Sequence, residues 1–131
     1  MLHNSTGKHG HYYGIMPEKA AAKNSSTPLI LDHDLDAVPE AGRRLTVAGL
    51  ADHVDDLASR LWAAGVRPGA HVVVHKADNF DVWLLGIAAE RTGAVPVMLS
   101  HHLDSASVGV LLGRLDKPYL VTDVRKLDGL A

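Results

Sequence analysis

The chain has no cysteine, which excludes a disulfide framework, a thiolate nucleophile and a thiolate metal site, and which fits a reducing cytoplasm. It has no excess of basic charge either, because 13 Lys and Arg face 15 Asp and Glu. Binding to nucleic acid or to an anionic membrane therefore has no electrostatic support. No apolar run approaches the ~20 residues that span a bilayer, and the N-terminus lacks the apolar core of a signal peptide. We expect a cytoplasmic protein with no membrane span and no nucleic-acid partner.

Motifs that carry chemistry are missing as well. The sequence contains no Gly-x-x-x-x-Gly-Lys or Gly-x-Gly-x-x-Gly phosphate loop, no Gly-x-Ser-x-Gly nucleophile turn and no His-Glu-x-x-His zinc motif. The alternating acids Asp32, Asp34 and Asp36 have the spacing that opens a calcium loop, but Ala37 replaces the required glycine and Arg43 the closing glutamate. We therefore predict an acidic loop here, and no catalytic, cofactor-binding or metal-binding residue in this chain.

What the chain does contain is enough apolar sequence for one folded domain. Its 131 residues are 47% hydrophobic and 21% charged, a globular balance. Residues 1–15 are rich in Gly, His, Ser and Asn without a period, which predicts a flexible N-terminal tail. A metal site made by His3, His9 and His11 is the alternative, but nothing there fixes ligand geometry. Residues 16–131 are expected to form a single domain.

The clearest local pattern is an amphipathic helix. Thr46 is a suitable N-cap, and apolar residues follow at steps of three and four to form one stripe: Val47, Leu50, Val54, Leu57 and Leu61. Asp56 and Arg60 form an i,i+4 pair on the opposite face. The acidic cluster of this helix is therefore predicted to be a solvated face and not a catalytic carboxylate pair.

Strands and helices then alternate. Gly65 ends the helix, and HVVVH at 71–75 predicts a strand covered on both faces. Asn79 is predicted to cap a largely apolar helix ending near Thr92, after which AVPVML forms a strand whose Pro96 indicates an edge or a bulge. Asp104 caps a further helix, and PYLVT gives the next strand. The order predicts an α/β fold, with a mainly parallel sheet, flanking helices and right-handed crossovers.

Histidines at strand ends are the remaining candidates for a site. His101 and His102 follow a strand at its carboxyl end, where open α/β sheets usually bind ligands, so they are weak pocket-edge candidates. A structural or solvent-facing role is the alternative, because adjacent side chains in an extended loop point in different directions. His71 and His75 bracket a strand and are expected to be hydrogen-bonded strand-end residues.

Taken together, the motifs resemble the N-terminal portion of the adenylate-forming superfamily, which includes acyl- and aryl-CoA synthetases, luciferases and peptide-synthetase adenylation domains. The matching elements span roughly residues 16 to 123: Thr46 to Leu50, Leu57-Ala58 to Leu61, Gly65-Val66 to Gly69, and Gly93-Ala94-Val95-Pro96-Val97. The chain departs from the family pattern at turns and caps. Gly49 replaces a glutamate, Ala70 an aspartate, and Ser100-His101-His102 the usual Asn-Pro.

The resemblance implies an ATP-dependent ligase that converts a carboxylic acid to an acyl-adenylate and transfers the acyl group to a thiol. ATP, Mg and CoA, or a carrier-protein thiol, are the cofactors and co-substrates expected of such a parent enzyme. The family's phosphate loop, metal contacts and lid lysine lie downstream of the matched segment. We therefore expect an inactive N-terminal scaffold fragment whose partner is the remainder of the parent enzyme, with exposed apolar surface that would also favour a homo-oligomer. The alternative is a stand-alone α/β binding or dimerisation module; a phospho-receiver domain lacks its acidic pair and its later Asp and Lys.

Overall fold

A computed structural model of the protein describes residues 13–130. The helices are α1 Met16–Asn24, α2 Val47–Ala63, α3 Asn79–Arg91, α4 Ser105–Arg114 and α5 Val124–Leu127. The strands are β1 Pro28–Ile30, β2 Arg44–Thr46, β3 His71–His75, β4 Val95–Met98 and β5 Tyr119–Thr122. No helix in this part of the chain is long and apolar enough to cross a membrane.

The predicted parallel sheet is present. Its strand order is β4-β3-β5, and both pairings are parallel, with Val73 opposite Val97 on one side and Leu120 on the other. Because β4 and β5 flank β3 on opposite sides, right-handed crossovers place α3 and α4 on opposite faces of the sheet. Val72, Val73 and Val74 are fully buried, as expected for a strand covered on both faces. The α/β prediction is confirmed, and β4, which carries Pro96, is an edge strand of this sheet.

Helices α2 and α3 build the main core beside this sheet. The Thr46 hydroxyl accepts a 3.0 Å hydrogen bond from the Gly49 backbone N–H, so the predicted N-cap of α2 is confirmed. The apolar stripe of α2 faces inward, and α3 is buried around most of its circumference because it packs against α2, β3 and β4. Arg91, near the end of α3, pairs with Glu18 of α1 and Asp55 of α2. These ion pairs hold the three helices together at their outer surface.

The N-terminal segment differs from the prediction at its last residues. Tyr13–Ile15, assigned from sequence to the end of the tail, form a 3-10 helix packed against α3. The Tyr13 ring reaches the core, and its burial raises the pKa of the phenol. The predicted tail before it, including His3, His9 and His11, lies outside the described residues.

A second sheet was not predicted. β1 pairs antiparallel with β2, and Leu29 lies opposite Leu45. The apolar start of PLILDHD at 28–34 predicts one short strand over that range, but β1 ends at Ile30, so the prediction is wrong for residues 31–34. Its apolar residues gave the expected strand pattern, whereas two of the acids that follow pair with distant cations, Asp34 with Arg43 and Asp36 with Lys76. The partner strand, Arg44–Thr46, is too short to have a period of its own.

The start of α3 also differs from the prediction. The N-cap is Asp78, which makes no side-chain capping hydrogen bond, and Asn79 is the first helical residue. Asn79 does not cap the helix because its Oδ1 instead contacts the His101 ring, 2.9 Å from Nδ1. The carboxylate of Asp81, in the first turn, accepts hydrogen bonds from the backbone N–H groups of Asp36 and Ala37 in a neighbouring loop. The polar residues at this helix start therefore serve tertiary contacts.

Candidate functional site

The carboxyl ends of β3, β4 and β5 meet at one edge of the sheet, and this edge carries the candidate site. With right-handed crossovers, the connections leaving β3 and β4 run to opposite faces, and ligands of open α/β sheets usually bind where the connections diverge in this way. The segment after β3 is Lys76 to Asp78, and the segment after β4 is the 99–104 loop. The site is thus made by two loops that the topology brings side by side.

The structure places both weak candidates, His101 and His102, in the 99–104 loop. His101 contacts Asn79 at the start of α3 and is half-buried, whereas His102 is exposed. Their ring centroids are 3.8 Å apart and the ring planes tilt by 41°. The expectation that adjacent histidines point in different directions is therefore wrong, because the turn after β4 brings the two rings together. A role for them in ligand binding stays a prediction.

His75, the last residue of β3, lies beneath this loop. Its side chain is fully buried, and neither ring nitrogen has a hydrogen-bond partner in the described part of the chain. The expectation of a hydrogen-bonded strand-end histidine is therefore wrong for His75, and His71, at the other end of the strand, is half-buried. Burial lowers the pKa of His75, and the positive charge of Lys126 lowers it further.

A buried lysine follows His75 directly. Lys76 is 4% exposed and forms an ion pair with Asp36, one of the three alternating acids. The other two acids also face cations: Asp32 lies 2.5 Å from the His33 ring and Asp34 lies 3.1 Å from the Arg43 guanidinium. Two ion pairs, Asp34 with Arg43 and Asp36 with Lys76, thus tie the acidic loop to other segments, whereas Asp32 contacts its own neighbour.

Asp81 anchors the same loop to α3. Its side chain is fully buried, and its two oxygens accept hydrogen bonds from the backbone N–H groups of Asp36 at 3.1 Å and Ala37 at 3.3 Å. Burial raises the pKa of the Asp81 carboxyl, while the two N–H donors and Lys76 oppose that rise. The carboxylate fixes the loop that forms one wall of the site.

On the opposite side, Asp123 joins the ends of β5 and β3. One oxygen accepts from the Ala77 backbone N–H at 2.8 Å, and the other accepts from the Lys126 backbone N–H at 3.0 Å, which caps α5. Burial would raise the pKa of Asp123, but these hydrogen bonds and the charges of Arg125 and Lys76 outweigh it, so the pKa is lowered. Asp123 is therefore an ionised clamp between two strand ends.

Two open depressions flank this edge. The larger, 650 Å³, lies between the end of the β1 segment and the start of α3, with Phe80 and Trp83 on one wall and Asp32 and His33 on the other. The hydrogen bond to Asp32 raises the pKa of His33. The smaller, 390 Å³, is lined by Asp36 and residues 122–125 and 127. Both are wide enough for a small organic group or a peptide side chain.

Metal-binding side chains are not clustered in the described part of the chain. Residues 13–130 contain no group of three or more His, Asp or Glu side chains arranged to hold a metal ion. The carboxylates at the sheet edge are already occupied by backbone N–H groups or cations. The described residues therefore present no such cluster of metal-binding side chains at this edge.

Sequence reasoning missed Lys76, Asp81 and Asp123. Asp123 had a usable signal, since it directly follows the predicted strand PYLVT and precedes a short helix. Lys76 and Asp81 had no such signal in the sequence, because their partners lie about 40 residues away along the chain. The histidine pair was chosen as a candidate because it follows a recognisable strand, and its role stays a prediction.

Two known proteins have similar sequences. The chain is 47% identical over 129 residues to a 3-amino-2-hydroxy-4-methoxybenzoate diazotase of Streptomyces cremeus, covering 98% of this chain and 23% of that protein. It is 37% identical over 65 residues to a salicylyl-CoA synthase / salicylate adenylyltransferase of a Streptomyces species, covering 50% of this chain and 12% of that protein. The chain thus spans less than a quarter of the length of either relative. No protein-family model matches it.

Solved structures share the fold. The N-terminal domain of FACL13 from Mycobacterium tuberculosis matches with a TM-score of 0.73 and 19% identity, covering 88% of this chain and 28% of that one. The long-chain-fatty-acid-CoA ligase FadD1 from Archaeoglobus fulgidus matches with a TM-score of 0.74 and 21% identity, covering 89% of this chain and 24% of that one. The NpsA N-terminal subdomain from Klebsiella oxytoca, in complex with anthranilyl-AMSN, matches with a TM-score of 0.69 and 20% identity, covering 85% of this chain and 27% of that one. The resemblance predicted from sequence is confirmed at the level of the fold, which this chain shares with N-terminal domains of adenylate-forming enzymes.

Proposed function

We propose that this chain is the N-terminal scaffold subdomain of a larger adenylate-forming enzyme and works together with the remaining subdomains of that enzyme. The observation that carries the proposal is the 47% identity to a protein of which this chain matches only 23%. The absence of a phosphate loop from the sequence agrees with it. In this proposal the chain alone is inactive, and its paired carboxylates hold the carboxyl edge of the sheet in shape.

The relatives' names suggest a substrate class for the whole enzyme. Salicylate is 2-hydroxybenzoate, and the diazotase substrate is also a 2-hydroxybenzoate, with amino and methoxy groups added. We infer that the parent enzyme acts on a small 2-hydroxybenzoate. In the ligase form of the reaction, the carboxylate attacks the α-phosphate of ATP and pyrophosphate leaves. A thiol, such as that of CoA, then attacks the acyl carbon and AMP leaves.

A second candidate reaction comes from the more similar relative. A diazotase converts an aromatic amine to a diazo group: the amine nitrogen bonds to the nitrogen of nitrous acid, and both oxygens of nitrous acid leave as water. The reacting group on the ring would therefore be the amine and not the carboxylate. The two reactions require different functional groups on the substrate. The ligase needs the carboxylate and tolerates the loss of the amine, whereas the diazotase needs the amine.

The first experiment is the intact mass of the protein purified from its native source. A mass several times 14.0 kDa supports the larger enzyme, and a mass equal to that of this chain contradicts it. The purified protein is then given ATP and Mg with salicylate or 3-aminosalicylate, and pyrophosphate and AMP are measured. Turnover of salicylate that yields a thioester with CoA supports the ligase. Turnover that requires both 3-aminosalicylate and nitrite, the usual nitrogen donor in diazotisation, supports the diazotase.

A stand-alone binding or dimerisation module is the other outcome. Val124, Ile30 and Val110 are 75%, 64% and 57% exposed, so apolar surface is available for association. A native mass of 14.0 kDa, no turnover with either substrate and a dimer on gel filtration would together favour this module.

A further inference from the structure

The 99–104 loop is held against the end of β3 by three contacts. The Leu99 backbone N–H donates to the Val74 carbonyl at 3.0 Å, and the His101 ring contacts Asn79. The Lys126 ammonium donates to the His101 carbonyl at 2.5 Å. These contacts join the loop to β3, α3 and α5, and together they close it over His75.

The ring of His75 sits in a site that is poor for a positive charge. From α5 it faces Lys126, which repels a proton, and Asp123, which attracts one. From the loop it faces the Leu103 carbonyl, which favours the protonated ring but makes no well-formed hydrogen bond to it. The loop's own titratable side chains are His101, His102 and Asp104, and Asp104 caps α4.

Asp123 cannot turn this site into a favourable one. Each of its oxygens already accepts a backbone N–H hydrogen bond, from Ala77 and from Lys126. Burial and the charge of Lys126 lower the pKa of His75 by more than Asp123 and the Leu103 carbonyl raise it. A proton on the closed ring would be shielded from solvent and would lie near the Lys126 charge, with the poorly aligned Leu103 carbonyl as its acceptor, which is costly for a charged group.

We propose that the 99–104 loop is an acid-sensitive latch, which separates from the end of β3 when His75 takes up a proton. Opening lets water reach the ring and moves the Lys126 contact away, so the pKa of the ring rises towards the ordinary histidine value of 6.5. Since the pKa of the closed form is lower, the open form binds the extra proton. The closed form is most favoured above pH 6.5 and loses that advantage as the pH falls towards the closed-form pKa.

The test is amide hydrogen exchange of Leu99 and Leu103 in the full chain as a function of pH, corrected for the intrinsic exchange rate. Between pH 6.5 and the closed-form pKa of His75, the opening constant should rise about tenfold per pH unit, since one proton is taken up. Protection of these amides should remain below that of the α2 amides at every pH. Equal protection would mean that the loop opens only by global unfolding, and the latch would be refuted.

Three variants identify the histidine. His75→Leu removes the proton site and should make loop opening independent of pH over this range. His71→Gln, at the other end of β3, should leave the pH dependence unchanged. His101→Gln should loosen the loop at every pH and keep the slope. If His75→Leu keeps the slope, or if His101→Gln abolishes it, the assignment is wrong.

A measurement on the unmodified chain decides the matter should His75→Leu fail to fold. The ring protons of His75 can be followed by NMR through the same pH range. A His75 pKa below the ordinary histidine value of 6.5, together with loop opening that follows the titration, supports the latch. A His75 pKa at or above 6.5, or loop protection that does not change with pH, overturns it.

Discussion

Replacing Asp81 with alanine should release the acidic loop from α3. In the folded chain the Asp81 carboxylate is fully buried and accepts the backbone N–H groups of Asp36 and Ala37. Alanine leaves both donors without an acceptor in a part-buried position. It also removes a negative charge from beside Lys76, which then has only the half-exposed Asp36 carboxylate as its paired acceptor.

The size of the effect follows from these two donors. An unsatisfied buried donor costs about 1–3 kcal/mol, and these two are only part-buried, so we expect Asp81→Ala to lower the free energy of unfolding by about 2–4 kcal/mol. Asp81→Asn keeps one acceptor oxygen but turns an NH2 donor towards the second backbone N–H, so it should lose about half of that amount or more. Asp52→Ala, on the exposed face of α2, is the matched control and should change stability by less than about 0.5 kcal/mol.

The assay is urea unfolding followed by circular dichroism, with the slope of the transition compared between variants. Hydrogen exchange supplies a local reading: the amides of Asp36 and Ala37 should lose protection in Asp81→Ala while those of α2 keep theirs relative to global stability. A loss below about 0.5 kcal/mol, equal to that of the Asp52 control, would refute the role of Asp81 as the anchor of the loop.

The remaining predictions also concern stability, and each is measured by the same unfolding assay. Thr46→Ala removes the N-cap of α2 and should cost about 1 kcal/mol; an unchanged midpoint would show that water replaces the hydroxyl. Gly65→Ala should cost more than about 1 kcal/mol, because φ is +109° and the new Cβ would lie 2.9 Å from the Tyr119 hydroxyl, whereas Gly113→Ala in α4 meets no atom within 4 Å and should stabilise by about 0.5–1 kcal/mol. The same sign for both glycine variants would contradict this account. Leu84→Ala should cost about 2–5 kcal/mol through a core cavity, and a smaller loss would mean that α3 collapses into the space.

Local patterns in the sequence determined the regular elements of this protein. The apolar stripe of α2 and the unbroken valines of β3 each follow a period that a single element can satisfy, so the helix, the buried strand and the βαβ order could be predicted. The resemblance to adenylate-forming enzymes rests on the same local motifs and their order. Pro96 likewise marked β4 as an edge strand, because proline cannot donate a ladder hydrogen bond.

The tertiary structure alone decided the polar arrangement at the carboxyl edge of the sheet. Asp81 reaches Asp36 across 45 positions of sequence, and Asp123 reaches Ala77 across 46. A period of two or 3.6 residues carries no information about such distant partners. Whether the ring nitrogens of His75 find hydrogen-bond partners depends likewise on which loop covers the ring. That loop is placed only when β4 pairs with β3. Elements arise from neighbouring residues, whereas the pairing of buried polar groups arises from packing between elements.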